Sequence, residues 1–479
     1  MRNTSRKFSA GYKCYNRSMR SPKRLVVILI VGIIVLCGLG FGVYNLPPIH
    51  DRLAYRVADL VSQIHDIFYP PEQVVFVPQQ LQNNQIATMV AATMQALTPS
   101  ATPTCASAGG ACVTATPTCP TGGCQAQITA APATATSTPP PTPTPTAIPA
   151  TVELKGIVHE YQKMNNCGPT NLAMALSFWG WQGDQMTTAA FLRPAFNPTS
   201  KDNRDDKNVM PYEMVDFVQQ KTDLSIVERT GGDVLLLKHL VAAGFPVIVE
   251  KGYEPDAVLG WMGHYEVVDG YDDSKGVFMV QDSYVQPVNG ITYADMQSNW
   301  RAFDYVYLVI YPPAREAEVM AVLGPQADLA TNEQYTAQKA ADEAQQLSGR
   351  DQFFAQFNLG SIRVALQDYA GAAQAYDQAY QLYPSIPDKQ RPYRMTWYQT
   401  GPYFAYYYTG RYQDVVTLAT QTINSTTSPG LEESFVWLGR AELALGDTTN
   451  AIANLKQALY WHPGFQPALD ELATLGVTP

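Results

Sequence analysis

Cys167 is the residue of this sequence best suited to nucleophilic chemistry. Of the seven cysteines it alone lies where the pattern predicts a folded domain, in the run Asn-Asn-Cys167-Gly-Pro-Thr-Asn. Pro169 suits the first turn of a helix, and an apolar helical pattern follows as far as Gly180. A thiol at a helix N-terminus faces unpaired N–H groups and the positive end of the dipole, which both favour thiolate. Gln162, one short turn upstream, has an amide able to donate. The run predicts a nucleophile; a buried structural cysteine is the alternative.

Three histidines between residues 152 and 312 are candidates for the general base that such a nucleophile needs. His159 lies close to a linker, and His239 lies in the middle of an apolar helical pattern, where a surface or boundary position explains it most simply. His264 begins a predicted strand directly after Gly263, and a glycine there lets another backbone or a substrate come close. We therefore expect His264 to be the base, with an ordinary strand histidine as the alternative.

Asp282 is the candidate for orienting that base. It ends the strand predicted after the one that His264 begins, and the turn Asp273-Ser-Lys-Gly276 predicts a hairpin between the two. Adjacent strands would allow a hydrogen bond between the two side chains, although an aspartate at a strand end also commonly makes a turn. Glu266 and Asp269 are weaker competitors, which the strand register alone does not exclude.

The elements that must position these residues are helices first and an antiparallel sheet later. Between residues 152 and 312, the periodicity of apolar residues predicts helices at 168–179, 211–221 and 233–243 and strands at 245–250, 263–271, 276–282 and 304–311. This order is typical of an α+β fold. We expect one globular domain at 151–312.

The region 326–479 has a different pattern, in which strand signals vanish and helices come in pairs. Second helices are predicted to begin at Tyr369, Tyr412 and Thr448, and small and apolar residues recur at matching positions. This pattern resembles tetratricopeptide repeats. The resemblance implies an all-α solenoid with repeats at 353–384, 396–427 and 432–463 and capping helices near 332–347 and 465–475. The middle repeat is degenerate, and an insert around 385–393 precedes it.

A repeat domain of this kind implies a protein partner. The resemblance would place on one concave face a set of largely aromatic residues that is nearly free of lysine, namely Phe354, Phe357, Trp397, Phe404, Tyr407, Val436 and Arg440. Such a groove suits an extended apolar or proline-rich peptide. The alternative is that these aromatic side chains pack against neighbouring repeats or against the first domain.

The N-terminal region predicts a membrane anchor. Residues 1–24 carry eight Lys and Arg and no acid, and the 22 residues at 25–46 carry no charge. A stretch of that length can cross a hydrocarbon core of about 30 Å. The positive-inside rule puts 1–24 in the cytoplasm and the rest of the chain outside the cell membrane. A cleaved signal peptide is the rival interpretation, but it would have a shorter apolar core.

Between the anchor and the first domain we expect a juxtamembrane helical region at 47–97 and a stalk at 98–150. The first has two short apolar stripes, suited to a coiled coil or to packing on lipid or on the protein itself. The second is rich in Thr and Pro and cannot form a core. It contains four cysteines, Cys105, Cys112, Cys119 and Cys124, which would form disulfides outside the cytoplasm. A zinc site is a weaker alternative, because the spacing lacks the Cys-x2-Cys pairs of zinc knuckles.

The order of Gln162, Asn-Cys167-Gly-Pro, Gly-His264-Tyr and Gln-Asp282-Ser resembles papain-like cysteine peptidases related to the bacteriocin-processing, double-glycine leader peptidases. The resemblance covers about 152–312. It implies that Cys167 is the nucleophile, His264 the general base and then acid, and Asp282 the orienting group. Gln162 and the Cys167 N–H would donate to the oxyanion. The sequence departs from the family in having no attached transporter, an extracytoplasmic location and a charged loop at 201–208, so the chemistry carries over better than the Gly-Gly substrate.

The sequence thus predicts a single-pass, extracytoplasmic cysteine peptidase with helical repeats that recruit a partner or substrate. The chemistry needs no cofactor and no metal. Nucleic acid is excluded as a partner because the chain beyond residue 24 has 24 basic against 42 acidic residues. Two alternatives remain open: a transpeptidase or transglutaminase-like acyl transferase on the same fold, and a surface scaffold whose peptidase-like domain is inactive.

Overall fold

The structure is a computed structural model that describes residues 22–44, 46, 64, 75–79, 148–196, 206–255 and 259–479. The predicted basic segment, the juxtamembrane stripes and the stalk with its four cysteines lie almost entirely outside these residues. Helix α1 spans Pro22–Tyr44. No helix among the described residues is long and apolar enough to cross a membrane, so the anchor predicted at 25–46 is not confirmed.

A seven-stranded antiparallel sheet organises the first domain. Its path runs β2-β7-β3-β4-β5-β6, and β1 pairs with part of β4. The strands are β1 Thr151–Glu153, β2 Ser225–Arg229, β3 Val247–Tyr253, β4 Met262–Asp272, β5 Val277–Asp282, β6 Gln286–Thr292 and β7 Tyr307–Tyr311. Helices and an antiparallel sheet followed by helical repeats fit the α+β peptidase-like fold and the all-α region expected from the sequence.

Helices cover both faces of this sheet because its central strands are apolar on both sides. One face packs on α2 Cys167–Phe178, α3 Gln185–Leu192 and α4 Pro211–Lys221, and the other on α5 Val234–Ala242, α6 Tyr293–Trp300 and α7 Glu316–Leu323. Along β3, for example, Val247 and Val249 pack on one face and Ile248 on the other, as the two-residue period of a strand requires. The helices predicted at 168–179, 211–221 and 233–243 correspond to α2, α4 and α5.

The predicted strand at 304–311 is too long at its beginning. Asp304 and Tyr305 have φ angles of 52° and 54°, left-handed values that an extended strand cannot include, and β7 therefore begins at Tyr307. The sequence patterns also missed β1, β2, β6, α3, α6 and α7, which are short and flank stronger elements.

The second region is a series of helices arranged largely in pairs. They are α8 Leu329–Gln346, α9 Gly349–Ala365, α10 Tyr369–Leu382, α11 Met395–Tyr398, α12 Gly401–Tyr408, α13 Tyr412–Asn424, α14 Glu432–Ala444, α15 Thr448–Trp461 and α16 Gln466–Thr474. Asp368 and Asp447 cap α10 and α15 by accepting backbone N–H groups, which explains why these helices begin where the sequence predicted. Gly360 is required where α9 meets α10, because a Cβ there would lie 2.6 Å from the Tyr376 ring.

Several aromatic residues expected in an open groove are instead packed inside the protein. Phe357 lies 4.9 Å from the Tyr376 ring and Phe404 lies 4.3 Å from the Trp437 ring. Phe354 packs against Trp261 of the first domain. These three side chains therefore stabilise the repeat stack and its contact with the first domain, which was the alternative interpretation of the pattern.

The two regions share a continuous apolar core. Trp261, Phe303 and Val306 of the first domain belong to the same buried cluster as Phe353 and Phe357 of α9. Polar bonds reinforce this contact: the buried Arg394 guanidinium donates to the carbonyl oxygens of Leu259 and Trp261, and Gln399 Nε2 donates to that of Ala302. The repeat region thus packs against the end of the sheet at which β4 begins, near His264.

Candidate active site

Helix α2 begins at Cys167, so the sulfur lies at the positive end of the helix dipole. Asn165 has a φ of 52°, a left-handed conformation that asparagine tolerates better than most residues, and it turns the chain into the helix. Backbone N–H groups of Gly168 and Tyr265 donate to the sulfur. These features support the thiolate form of a half-buried cysteine.

His264 and Asp282 form a direct side-chain pair on neighbouring strands. Val267 pairs with Gln281 across β4 and β5, so Asp282 lies opposite Glu266 and diagonal to His264 on the same face. Asp282 Oδ1 lies 3.0 Å from His264 Nε2. The His264 ring is also a hydrogen-bond partner of Cys167. The structure therefore brings Cys167, His264 and Asp282 together in the order that an acyl-transfer triad requires.

The other acids near His264 have different partners. Glu266 forms a buried ion pair with Lys251, with 3.0 Å between Nζ and Oε1. Asp269 accepts a hydrogen bond from Gln281 Nε2. Glu266 remains close to the triad, because its carboxylate and the donor atoms of His264 and Asp282 lie within 4.8 Å of one another.

The two remaining histidines of the domain do not join Cys167. His159 Nδ1 lies 3.0 Å from Gln281 Oε1, and burial lowers the pKa of its imidazole. His239 lies on α5, which packs on the opposite face of the sheet from α2. Among the three histidines of this domain, His264 is therefore the one that contacts Cys167.

The protonation states of the triad favour a thiolate–imidazolium pair. Burial opposes charge on all three groups, but their mutual interactions outweigh it. The negative charge and hydrogen bond of Asp282 raise the pKa of His264 to about 10. The His264 hydrogen bond and charge lower the pKa of Cys167 below that of a free thiol, and His264 likewise lowers the pKa of Asp282 to about 2.

Gln162 lies beside Cys167 with its amide orientation fixed. Its backbone N–H donates to the carbonyl of Ser283 at 3.0 Å, and its side-chain Oε1 accepts from Ser283 Oγ at 2.7 Å. Because the oxygen is used in this way, Nε2 is the atom with which the side chain can donate to a ligand. Both Gln162 and Cys167 line the same cleft.

A buried polar network behind α2 was not predicted from the sequence. Asn171 Nδ2 donates to the carbonyl oxygens of Cys167 and Tyr265 at 2.9 and 2.7 Å, which ties the start of α2 to β4. On the other side, Asn166 Oδ1 accepts from Arg193 at 3.0 Å. Asn171, a polar residue inside an otherwise apolar helical pattern, was the available signal, because a buried amide needs partners.

The cleft has aromatic walls and a buried acid. Tyr253 stacks on the His264 ring with 4.9 Å between centroids, and Tyr284 lies on the same side. Burial raises the pKa of Glu250, which also lines the cleft, well above its usual range and so favours the neutral carboxyl. Tyr398 of α11, in the repeat region, also lines the cleft.

Two groups of described side chains have donor atoms close enough to share a cation. His264, Glu266 and Asp282 form one group, in which the donors already bind each other or Lys251. Asp206, Glu432 and His462 form the other, at the contact between the first domain and the last repeat. The first group thus lies at the cleft, beside Cys167, and the second lies outside the cleft.

Comparison with known proteins agrees with these two regions. Residues 154–308 match the Peptidase_C39 like family, and residues 355–386 and 432–465 match the tetratricopeptide repeat. A crystal structure from Bacillus anthracis, provisionally described as a C39-like peptidase, is 17% identical and covers 33% of this chain and 96% of its own, with a TM-score of 0.27. No curated protein matches the chain significantly. The resemblances to C39 peptidases and to tetratricopeptide repeats are thus confirmed, the latter at the first and last predicted repeats.

Proposed function

We propose that residues 151–312 hydrolyse peptide bonds with Cys167 as nucleophile, His264 as acid and base, and Asp282 as the group that orients His264. The observation that carries the proposal is the line of contacts from Asp282 through the imidazole ring to a sulfur at a helix N-terminus. The match to the C39-like family supports the same class of reaction. Neither the acyl-transfer chemistry nor the site residues require a cofactor.

In the first half of the reaction, Cys167 Sγ attacks the carbonyl carbon of the substrate amide. The sulfur lone pair forms the C–S bond, and the carbonyl electrons move to the oxygen, which the Gln162 amide and the Cys167 N–H stabilise. When the oxyanion collapses, the C–N bond breaks. The His264 imidazolium gives its proton to the leaving nitrogen from Nδ1, since Nε2 faces Asp282.

In the second half, neutral His264 takes a proton from water. The resulting hydroxide attacks the thioester, the same donors stabilise the second oxyanion, and the C–S bond breaks to release the carboxylic acid and the thiolate. Asp282 stabilises the imidazolium each time it forms. An amine in place of water would give transfer rather than hydrolysis, so the acceptor decides between the two reactions.

The repeats supply a surface for a protein partner or substrate, since stacked helix pairs commonly bind other proteins. We further propose that residues 25–46 anchor the chain in the cell membrane with the catalytic and repeat regions outside. This part rests on the uncharged 22-residue stretch and its basic flank alone. Protease added to intact cells should remove the region after residue 150; protection until the membrane is opened would reverse the topology.

The decisive experiment offers a mixture of peptides to the full chain and to Cys167→Ser. We expect cleavage by the parent and none by the variant. Adding a primary amine and analysing the products by mass spectrometry separates hydrolysis from transfer, because transfer adds the mass of the amine. If peptides remain intact and Cys167 also alkylates like an ordinary thiol, the domain is an inactive scaffold.

A further inference from the structure

A short segment far from the peptidase domain in sequence is docked in the repeat region. Phe76 is only 4% exposed and lies edge-on against the Tyr380 ring with 4.8 Å between centroids. The Tyr406 ring lies 6.1 Å away on another side. The backbone N–H of Gln79 donates to Asp414 Oδ1 at 2.7 Å. Two aromatic contacts and one backbone hydrogen bond of this kind are typical of a bound peptide.

The site that receives Phe76, here the repeat slot, lies between the first and second helix pairs. It is lined by residues of α9, the end of α10, the insert that precedes α11, α11 itself and α13: Phe353, Tyr380, Tyr383, Pro392, Tyr393, Met395, Thr396, Leu418, Gln421, Thr422 and Ser425. The insert at 385–393 separates the two helix pairs. The departure from the regular repeat spacing therefore creates the slot.

The docked segment has the burial pattern of an extended peptide. Phe76 and Pro78 are buried, whereas Val75 and Val77 are half-buried, which is the alternation of an extended chain lying on a surface. Asp414 is itself fixed by an ion pair with Arg411 at 2.8 Å, and Arg411 also binds Asp377. The slot thus offers an aromatic pocket for the phenylalanine of the peptide. It also offers a buried carboxylate for the backbone N–H of the residue three positions after that phenylalanine.

The slot and the catalytic cleft share one short helix. Within α11, Met395 and Thr396 line the slot, whereas Tyr398 lines the cleft. Between them, the Trp397 carbonyl accepts a hydrogen bond from Asn208, which is also a cleft residue. The four consecutive residues 395–398 therefore connect the slot that holds Phe76 with the cleft that holds Cys167.

We propose that the repeat slot is a binding site for an extended apolar peptide with a phenylalanine anchor, and that residues 75–79 of the same chain are its resident ligand. Filling the slot fixes α11 and hence Tyr398 at the cleft. This last step rests on the proposed function, because it assigns a regulatory role to the slot at that site. Segment 75–79 thereby couples the N-terminal part of the chain to the catalytic domain.

The first test uses the full chain with Phe76→Ala, and with Leu235→Ala, an exposed residue of α5 outside the slot and the cleft, as the control. The probe is a fluorescein-labelled peptide of residues 71–81. An internal ligand has an effective concentration near millimolar, so we expect the probe to bind the Phe76→Ala chain at least about 10²-fold more tightly than the parent or the control. Equal binding to all three chains, or binding to none, would overturn the assignment.

The second test does not depend on the folding of a variant that lacks the anchor. A photo-crosslinking phenylalanine analogue at position 76 should form adducts to peptides containing Tyr380 or Leu418 within a single chain. Crosslinks between two chains, or to other peptides only, would show that residues 75–79 are not the ligand of their own chain.

The coupling to the cleft is measured by the alkylation of Cys167 with iodoacetamide and with a bulky maleimide. We divide the rate of alkylation by the maleimide by the rate of alkylation by iodoacetamide. We expect Phe76→Ala to raise this ratio severalfold, and added peptide to return it to the value of the parent. If the peptide binds tightly but the ratio does not change, the slot is a peptide-binding site that does not influence the cleft. Slow iodoacetamide alkylation at pH 6 in the parent would instead count against the proposed nucleophile, which distinguishes the two failures.

Discussion

Asp282 Oδ1 accepts the hydrogen bond of His264 Nε2 at 3.0 Å and also accepts the backbone N–H groups of Tyr284 and Val285. The carboxylate is therefore fixed by the turn that follows β5, and the imidazole ring is fixed by the carboxylate. Because one ring nitrogen is occupied, the other faces Cys167. The stacked Tyr253 ring limits the remaining freedom of the imidazole.

This relationship predicts that Asp282→Asn lowers kcat/KM for peptide cleavage by about 10²-fold or more, since the imidazolium loses its partner. The alkylation of Cys167 should also become more pH-dependent, because the pKa of His264 falls. Asp269→Asn is the matched control, as that carboxylate bonds Gln281 instead. Equal losses in the two variants would show that Asp282 has only a structural role.

The thiolate–imidazolium pair predicts an unusual alkylation profile. A free thiol with a pKa of about 8.5 loses roughly 10²-fold in rate between pH 8 and pH 6. Because His264 lowers the pKa of Cys167, the parent should lose much less over this range. His264→Ala should restore the steep profile. Mass spectrometry of the peptide that contains Cys167 separates its rate from those of other cysteines, and a steep profile in the parent would contradict the ion pair.

The position of His264 shows how far the sequence determines the site. The hairpin turn and the strand alternation are local patterns, and they were sufficient to put His264 and Asp282 on neighbouring strands. They did not choose between Asp282 and Glu266, because that choice depends on Lys251, which comes from β3 on the other side of β4. Charge pairing across a sheet cannot be read from the residues of one hairpin.

Tyr398 shows a stronger limit of the sequence. It lines the cleft although it comes from a repeat region whose pattern gives no sign of catalysis. Its position depends on the core that the two regions share and on the insert before α11. Neither feature produces a repeating pattern in the sequence from which it could be predicted. The repeats themselves were predictable, because each pair of helices repeats its own spacing and caps.

Gln162 and Ser283 provide a graded test of the oxyanion donor. Gln162→Ala should lower kcat by about 10²-fold, as the loss of one such donor does. Ser283→Ala leaves the amide in place but removes the 2.7 Å bond that orients it, and should lower kcat by about tenfold with little change in KM. Gln182→Ala, an exposed glutamine, should change neither constant. An unaffected Gln162→Ala variant would leave the backbone N–H groups as the donors.

The buried acids at the contact between the first domain and the last repeat predict a pH-dependent stability. His462 Nδ1 lies 3.3 Å from Asp206 and 3.2 Å from Glu432, and Glu213 and Glu433 lie close by. Burial, and then the neighbouring negative charges, raise the pKa values of the three glutamates. Burial alone would lower the pKa of His462, but Asp206 outweighs it and raises that pKa.

All these shifts have the same consequence for stability. The folded protein binds more protons here than the unfolded chain above about pH 4.3, so the free energy of unfolding contributed by this cluster falls as the pH rises towards the folded pKa values. We expect Glu433→Gln to flatten the dependence of Tm on pH between 5 and 8, whereas Glu316→Gln, at an exposed position, should leave it unchanged. Calorimetry in the presence of a chelator removes any contribution from a cation. The opposite result would be a Tm that rises with pH through this range, with the same slope in the parent and in Glu433→Gln. It would show that these carboxylates are already ionised in the folded protein and that nearby positive charges balance them.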